Sequence, residues 1–321
     1  MGKEKKYLGH IESLRALAAL MVLVFHFLSF EGVHGFLITN ETIRTCSKFG
    51  AQGVELFYII SGFVIYYSLT NASFGIQNYP KYLLKRFARI FPPFLGTILL
   101  ICLVALLWKG NYPYTAKQVL ENATLSVDVF NDSEWMNPIF VTLKVEFLFY
   151  LIIGFLIIVL RRHVLIYSSV LVAALGSVFF FHSTDLVHNI PFFVAGICCS
   201  EIYKSRNQPV NYVLLGCSLL VLYVVFPAED LVVCIIGIVL ILWLKIRSRA
   251  LEWTGAFSYS LYLTHGLSGG LFLYLTKNEK YLDLNSWLAL VLAIGVALTF
   301  AYGYYRIIEK HAIRWSKHIK Y

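Results

Sequence analysis

The sequence predicts an all-α integral membrane protein with about ten transmembrane helices and both termini in the cytoplasm. Three observations predict it. Of 321 residues, 59% are apolar and only 14% charged, where an average soluble domain has roughly 45–50% and about 25%. Apolar runs recur along the chain, and the mean hydropathy is +0.70. The basic residues between the runs fall mostly on one side of the resulting path. This composition excludes disorder, collagen and coiled coil and argues against an ordinary soluble enzyme.

The apolar runs lie at roughly 13–30, 51–69, 90–108, 136–160, 163–181, 187–203, 210–227, 229–246, 255–276 and 285–306. About 20 apolar residues cross the hydrocarbon layer, and a helix satisfies its backbone polar groups internally on the way. Barrel strands would alternate apolar and polar residues, which these runs do not. Lys3, Lys5 and Lys6 precede the first run, but Arg15 interrupts it and no cleavage site follows. It therefore reads as a retained helix, not a removed signal peptide. Lys81, Lys85, Arg86 and Arg89 lead into the third run. Arg161, Arg162, Lys204, Arg206, Lys245, Arg247, Arg249 and the basic stretch from Arg306 onward fall on the same side. Arg44, Lys48, Lys109, Lys117, Lys277 and Lys280 fall opposite. A bias of roughly three to one places the richer side in the cytoplasm. It also accounts for the net charge of +9 without a nucleic-acid surface.

The connection at 109–135 is the longest on the outer side. It carries Asn122-Ala-Thr and Asn131-Asp-Ser, which matter as sequons only in a glycosylating pathway. No internal repeat or broken helix is legible, and residues 1–321 read as a single membrane domain without an appended soluble one. The six cysteines show no metal-binding spacing, so neither disulfides nor a structural metal is expected.

Ionisable residues inside a membrane are costly and usually face a bundle interior or a watery cavity. Arg15, His26, Glu55 and Glu146 stand out. Arg15 and His26 are about 16 Å apart along one helix and about 20° apart around it, so they share a face. Small Ala16, Ala18 and Ala19 allow close approach to that helix. Arg86 and Arg89, one turn apart, offer paired planar donors suited to phosphate oxygens; composition alone favours an orientation signal beside anionic headgroups, and the two roles are compatible. Arg15 also has a structural reading, because Glu12 stands three residues away and is able to pair with it.

These residues sit in segments that resemble a family. Ile11-Glu-Ser-Leu-Arg15-Ala-Leu-Ala18 through His26 resembles the opening helix of the acyltransferase-3 family of integral-membrane O-acyltransferases, with its Arg, ten residues, then His. Gly53-Val-Glu55-Leu-Phe-Tyr-Ile-Ile-Ser61-Gly-Phe63 is similar to its second-helix signature, and Arg86-Phe-Ala-Arg89-Ile-Phe-Pro92 to its Arg-x-x-Arg motif. Thr142-Leu-Lys-Val-Glu146-Phe-Leu-Phe-Tyr150, Phe257-Ser-Tyr-Ser-Leu-Tyr-Leu-Thr-His265 and Tyr305-Arg-Ile-Ile-Glu309 resemble its remaining segments in order. Val141 stands where the family often has tryptophan, and His311 where it often has proline.

The resemblance implies transfer of an acyl group, commonly acetyl from acetyl-CoA, to a hydroxyl of an extracytoplasmic glycan or glycolipid, with no metal. The expected setting is a cell membrane, the inner one in a bacterium, and the oligomeric state is left open. Arg86, Arg89 and Arg15 are the candidates for CoA's phosphates, and His26 for a general base that removes the acceptor's proton. Glu55 or Glu146 would orient the imidazole as the acid of a triad does, while Ser61 reads equally well as a helix-packing residue. Direct transfer and a transient acyl-histidine stay open. His265 reads as a packing or interfacial histidine and is given no chemistry. A glycan transporter or flippase, lined by the same charged residues, is the competing reading.

Overall fold

The computed structural model describes residues 8–32, 35–72, 74–109, 113–130, 133–160, 163–181, 184–204, 208–276 and 285–320. Lys3, Lys5, Lys6, Arg161, Arg162, Arg206, Lys277, Lys280 and the second sequon at Asn131 lie outside the described residues. Apart from a two-residue antiparallel pairing of Glu31–Gly32 with Gly35–Phe36, the described residues form helices and their connections.

Six helical stretches are long and apolar enough to cross a membrane: Gly9–Leu28, Glu41–Asn71, Ile76–Leu107, Ile139–Ile158, Val164–Phe181 and Ser286–His318. Leu99, Leu107, Leu165, Phe180, Val213 and Tyr223 are exposed on helix surfaces. Outward leucine and phenylalanine at this density make sense with hydrocarbon as solvent, and the chain is a multi-pass membrane protein.

The other four apolar runs are also helical but fall short of that standard. Ile190–Tyr203 has 14 residues, about 21 Å of helix against a core of about 30 Å. It lies among its neighbours, with every residue from Pro191 to Glu201 buried. Pro209–Val225 is also short, with 17 residues. The segment from Ser258 to Thr276 is continuously helical but holds serines, Thr264, His265 and three glycines. The run at 229–246 is helical over Ala228–Leu244 and ends at a sharp corner. Ala228–Leu244 turns by 120° into Arg249–Ala256, and Lys245 at the corner adopts a left-handed φ of 44°.

The central contact joins Ile190–Tyr203 to the Gly53–Asn71 helix. A Cβ on Gly196 would run into the carbonyl of Ile59, and one on Gly62 into that of Phe193. Paired small residues of this kind let helix backbones touch where no hydrophobic effect drives association. The first helix, Gly9–Leu28, buries Ala16, Ala18 and Ala19 completely or nearly so, the close approach that their size predicts.

The long Tyr79–Lys109 helix carries Pro92 and Pro93 in its interior. Proline supplies no N–H and loosens the ladder. Here the backbone gains tyrosine donors from late in the chain: Tyr259 Oη donates to the Ile90 carbonyl at 3.0 Å, and Tyr304 Oη to that of Pro93 at 2.5 Å. In the connection after that helix, Asn122 is fully buried. Its side chain donates to the carbonyls of Gln118 at 2.9 Å and Glu134 at 3.1 Å, and accepts from Met136 N at 2.9 Å. The first sequon asparagine is therefore a brace within the fold and not an open acceptor.

Candidate active site

Six helical elements converge on one cavity. It is lined by Arg15 from the first helix, Ser61 from Gly53–Asn71, Arg86 and Arg89 from Tyr79–Lys109, and Glu146 and Tyr150 from Ile139–Leu160. Tyr259, Tyr262 and Glu309, from the last third of the chain, complete it. Four of the six residues singled out in the sequence thus meet in one place. His26 and Glu55 do not line it.

The charges there are unequal: three guanidinium groups face two carboxylates. Both carboxylates are already engaged by neutral donors. Glu146 Oε1 accepts from the hydroxyls of Ser61 and Tyr150. Glu309 Oε2, on a carboxyl that is 3% exposed, accepts from the Ser260 hydroxyl at 2.5 Å and the Ser260 backbone N–H at 3.1 Å. Arg86 is buried against aromatic faces, 5.5 Å from the Tyr82 ring centre and 5.8 Å from that of Tyr150, a favourable placement for a planar cation. Arg15 lies 3.8 Å from Glu12, with both side chains partly exposed. Such a pair contributes only a few tenths of a kcal/mol, on the order of 0.3–0.5, and it does not keep Arg15 out of the cavity. Arg89 makes no ion pair among the described residues. Excess positive charge in a sheltered space is costly unless an anion joins it.

The acid expected to orient His26 is absent from its ring. His26 Nδ1 lies 2.9 Å from the Val22 carbonyl and 3.3 Å from His265 Nε2, with ring centres 5.0 Å apart. Glu146 is occupied with Ser61 and Tyr150. Glu55 Oε2 is buried without a hydrogen-bond partner, in the first turn of its helix. His26 is exposed, whereas His265 is 3% exposed.

Tyr262 joins the two regions. It lines the cavity, its hydroxyl is 2.5 Å from that of Thr142, and its ring centre is 6.2 Å from that of His265. Phe57 stacks edge-on against it at 5.6 Å. The cavity and the histidine pair are neighbours divided by an aromatic wall.

Two polar residues here had no role assigned from sequence. Glu309 sits on a π-helical turn, Tyr305–Glu309, and His265 immediately precedes another, Gly266–Gly270. Such turns often mark functional sites, but a hydrogen-bond register is not readable from residue types. Ser61 was legible as a packing residue and proves to donate to Glu146.

Neither a curated protein nor a solved structure matches this chain. A family model described as an acyltransferase domain matches residues 8–306, nearly the whole length and every segment that builds the cavity except Glu309. The protein is a transferase-type membrane protein of the acyltransferase-3 family.

Proposed function

We propose that this protein is a membrane O-acyltransferase that moves an acyl group, acetyl in the simplest case, from cytoplasmic acyl-CoA to a hydroxyl of an extracytoplasmic glycan or glycolipid. The observation that carries this is the cavity's surplus of guanidinium groups, with both carboxylates already hydrogen-bonded. A CoA phosphate answers that surplus, and guanidinium forks match its oxygens. The biased distribution of basic residues supports ten crossings with both termini in the cytoplasm, and therefore a donor arriving at the Arg15 end of the first helix. The expected setting is a cell membrane, the inner one in a bacterium. The family match favours this reading over a transporter.

In the reaction, His26 acts as general base. Its free ring nitrogen takes the acceptor's proton as the hydroxyl oxygen attacks the thioester carbonyl. The new C–O bond forms, the C–S bond breaks, and the proton passes to the departing thiolate. The acyl arm reaches His26 past Tyr262, whose bond to Thr142 has to yield or shift. Glu146 holds Ser61 and Tyr150 in place beside that path.

Purified protein in detergent, given radiolabelled acetyl-CoA and candidate glycans, tests the reading. Label transferred to a glycan hydroxyl supports it. Glycan movement across vesicles with no acyl transfer overturns it.

A further inference from the structure

The two histidines approach each other through particular nitrogens, and their surroundings fix where the protons sit. His265 Nδ1 faces two carbonyl oxygens, Tyr262 at 2.8 Å and Leu261 at 3.2 Å. Carbonyls only accept, so His265 Nδ1 carries the proton and, in the neutral ring, Nε2 presents a lone pair. That lone pair is aimed at His26 Nδ1, 3.3 Å away. His26 Nδ1 in turn faces the Val22 carbonyl at 2.9 Å. With two acceptors converging on it, His26 Nδ1 must hold the proton, and Nε2 is left bare.

The local fold brings this about. The π-helical turn Gly266–Gly270 follows His265 directly, and a side chain at Gly269 would collide with the ring of Phe27, the residue after His26. Ser268 Oγ donates back to the Thr264 carbonyl at 2.8 Å. The widened turn thus lies flat against the first helix and presents His265 to His26.

We infer that His265 is a positioning residue: as a neutral acceptor it holds the His26 ring in the tautomer whose Nε2 is the reacting atom. This rests on the reading of His26 as the base. When Nε2 takes the acceptor's proton, the ring becomes an imidazolium. Its Nδ1–H then donates to His265 Nε2 and to the Val22 carbonyl, a charge-assisted bond stronger than the one in the neutral pair. A buried histidine here does what a carboxylate does in a triad, without adding a second negative charge to the bilayer.

The test has two arms. First, solid-state 15N spectra of histidine-labelled protein in lipid, assigned with His26→Ala and His265→Leu, report which ring nitrogen carries each proton without any turnover. Protons on Nδ1 of both rings are expected; a proton on His26 Nε2 overturns the proposal. Second, kinetics compare His265→Leu with His265→Gln, whose amide oxygen is able to accept in place of Nε2. The leucine variant should lose kcat by about 10- to 100-fold, the effect of one hydrogen bond to a charged group, with KM for acyl-CoA unchanged. The glutamine variant should recover most of it. Unchanged kcat in the leucine variant, or equal loss in both, overturns the proposal. Full activity in His26→Ala would instead remove the base assignment, a separate failure that the spectra do not share.

Discussion

Arg89 gives the cleanest test of what the cavity holds. It makes no ion pair among the described residues, and two other guanidinium groups share its space. Removing it in Arg89→Ala therefore breaks no ion pair within 4.0 Å among the described residues and relieves repulsion from Arg15 and Arg86, at the loss of the longer-range pull of Glu12 and Glu309. Thermal stability without donor should hold or rise. If Arg89 donates to a CoA phosphate, the loss is that of hydrogen bonds to a charged group, about 1.5–3 kcal/mol. At 1.4 kcal/mol per factor of ten, KM for acyl-CoA should rise by about 10- to 100-fold. The kcat should hold, because the phosphates lie far from the reacting carbonyl and bind alike in ground and transition states. Initial rates in detergent across a range of acetyl-CoA concentrations, at fixed acceptor, measure both constants. Acetyl-pantetheine, which lacks the nucleotide, supplies the control: wild type and variant should use it equally. Arg89→Lys should lie between the two, since it keeps the charge and loses the fork. An unchanged KM for acetyl-CoA, or an equal rise for acetyl-pantetheine, would refute the reasoning.

Three further outcomes are expected. His26→Ala should abolish transfer while the protein still inserts and elutes as a folded species by size exclusion; retained activity removes it from the mechanism. Gly196→Ala should destabilise the fold by about 1–3 kcal/mol, the usual cost of overpacking, because the new methyl meets the Ile59 backbone; thermal unfolding in detergent reads this, and an unchanged midpoint would deny the close contact. Asn122→Ala should lower stability by a similar amount, about 1–3 kcal/mol, by stranding the part-buried Met136 N–H and undoing two donor bonds of the buried amide; hydrogen exchange should rise locally at Met136.

The helices and the charged residues of the cavity were largely legible in the sequence, for different reasons. Helices announce themselves by unbroken apolarity. Arg15, Arg86, Arg89 and Glu146 announce themselves because charge is rare in such runs. Span length was less legible: Ile190–Tyr203 is as apolar as its neighbours yet too short, since protein and not lipid surrounds it. The partner of His26 was not legible at all. Glu55 and Glu146 looked like candidates because triads pair histidine with acid, but Ser61 and Tyr150 had already claimed Glu146. His265 is 239 positions from His26, and only the packing of a widened turn against Phe27 brings them together.

The two tyrosine hydroxyls bound to the carbonyls of Ile90 and Pro93 bear on how the protein comes into being. The helix that bears Arg86 and Arg89 is made well before Tyr259, Tyr304 and Glu309 leave the ribosome. Until they arrive, the early cations have neither their final tether nor Glu309 nearby. Nascent chains stalled before that point should be inert toward the donor and good clients for membrane quality control.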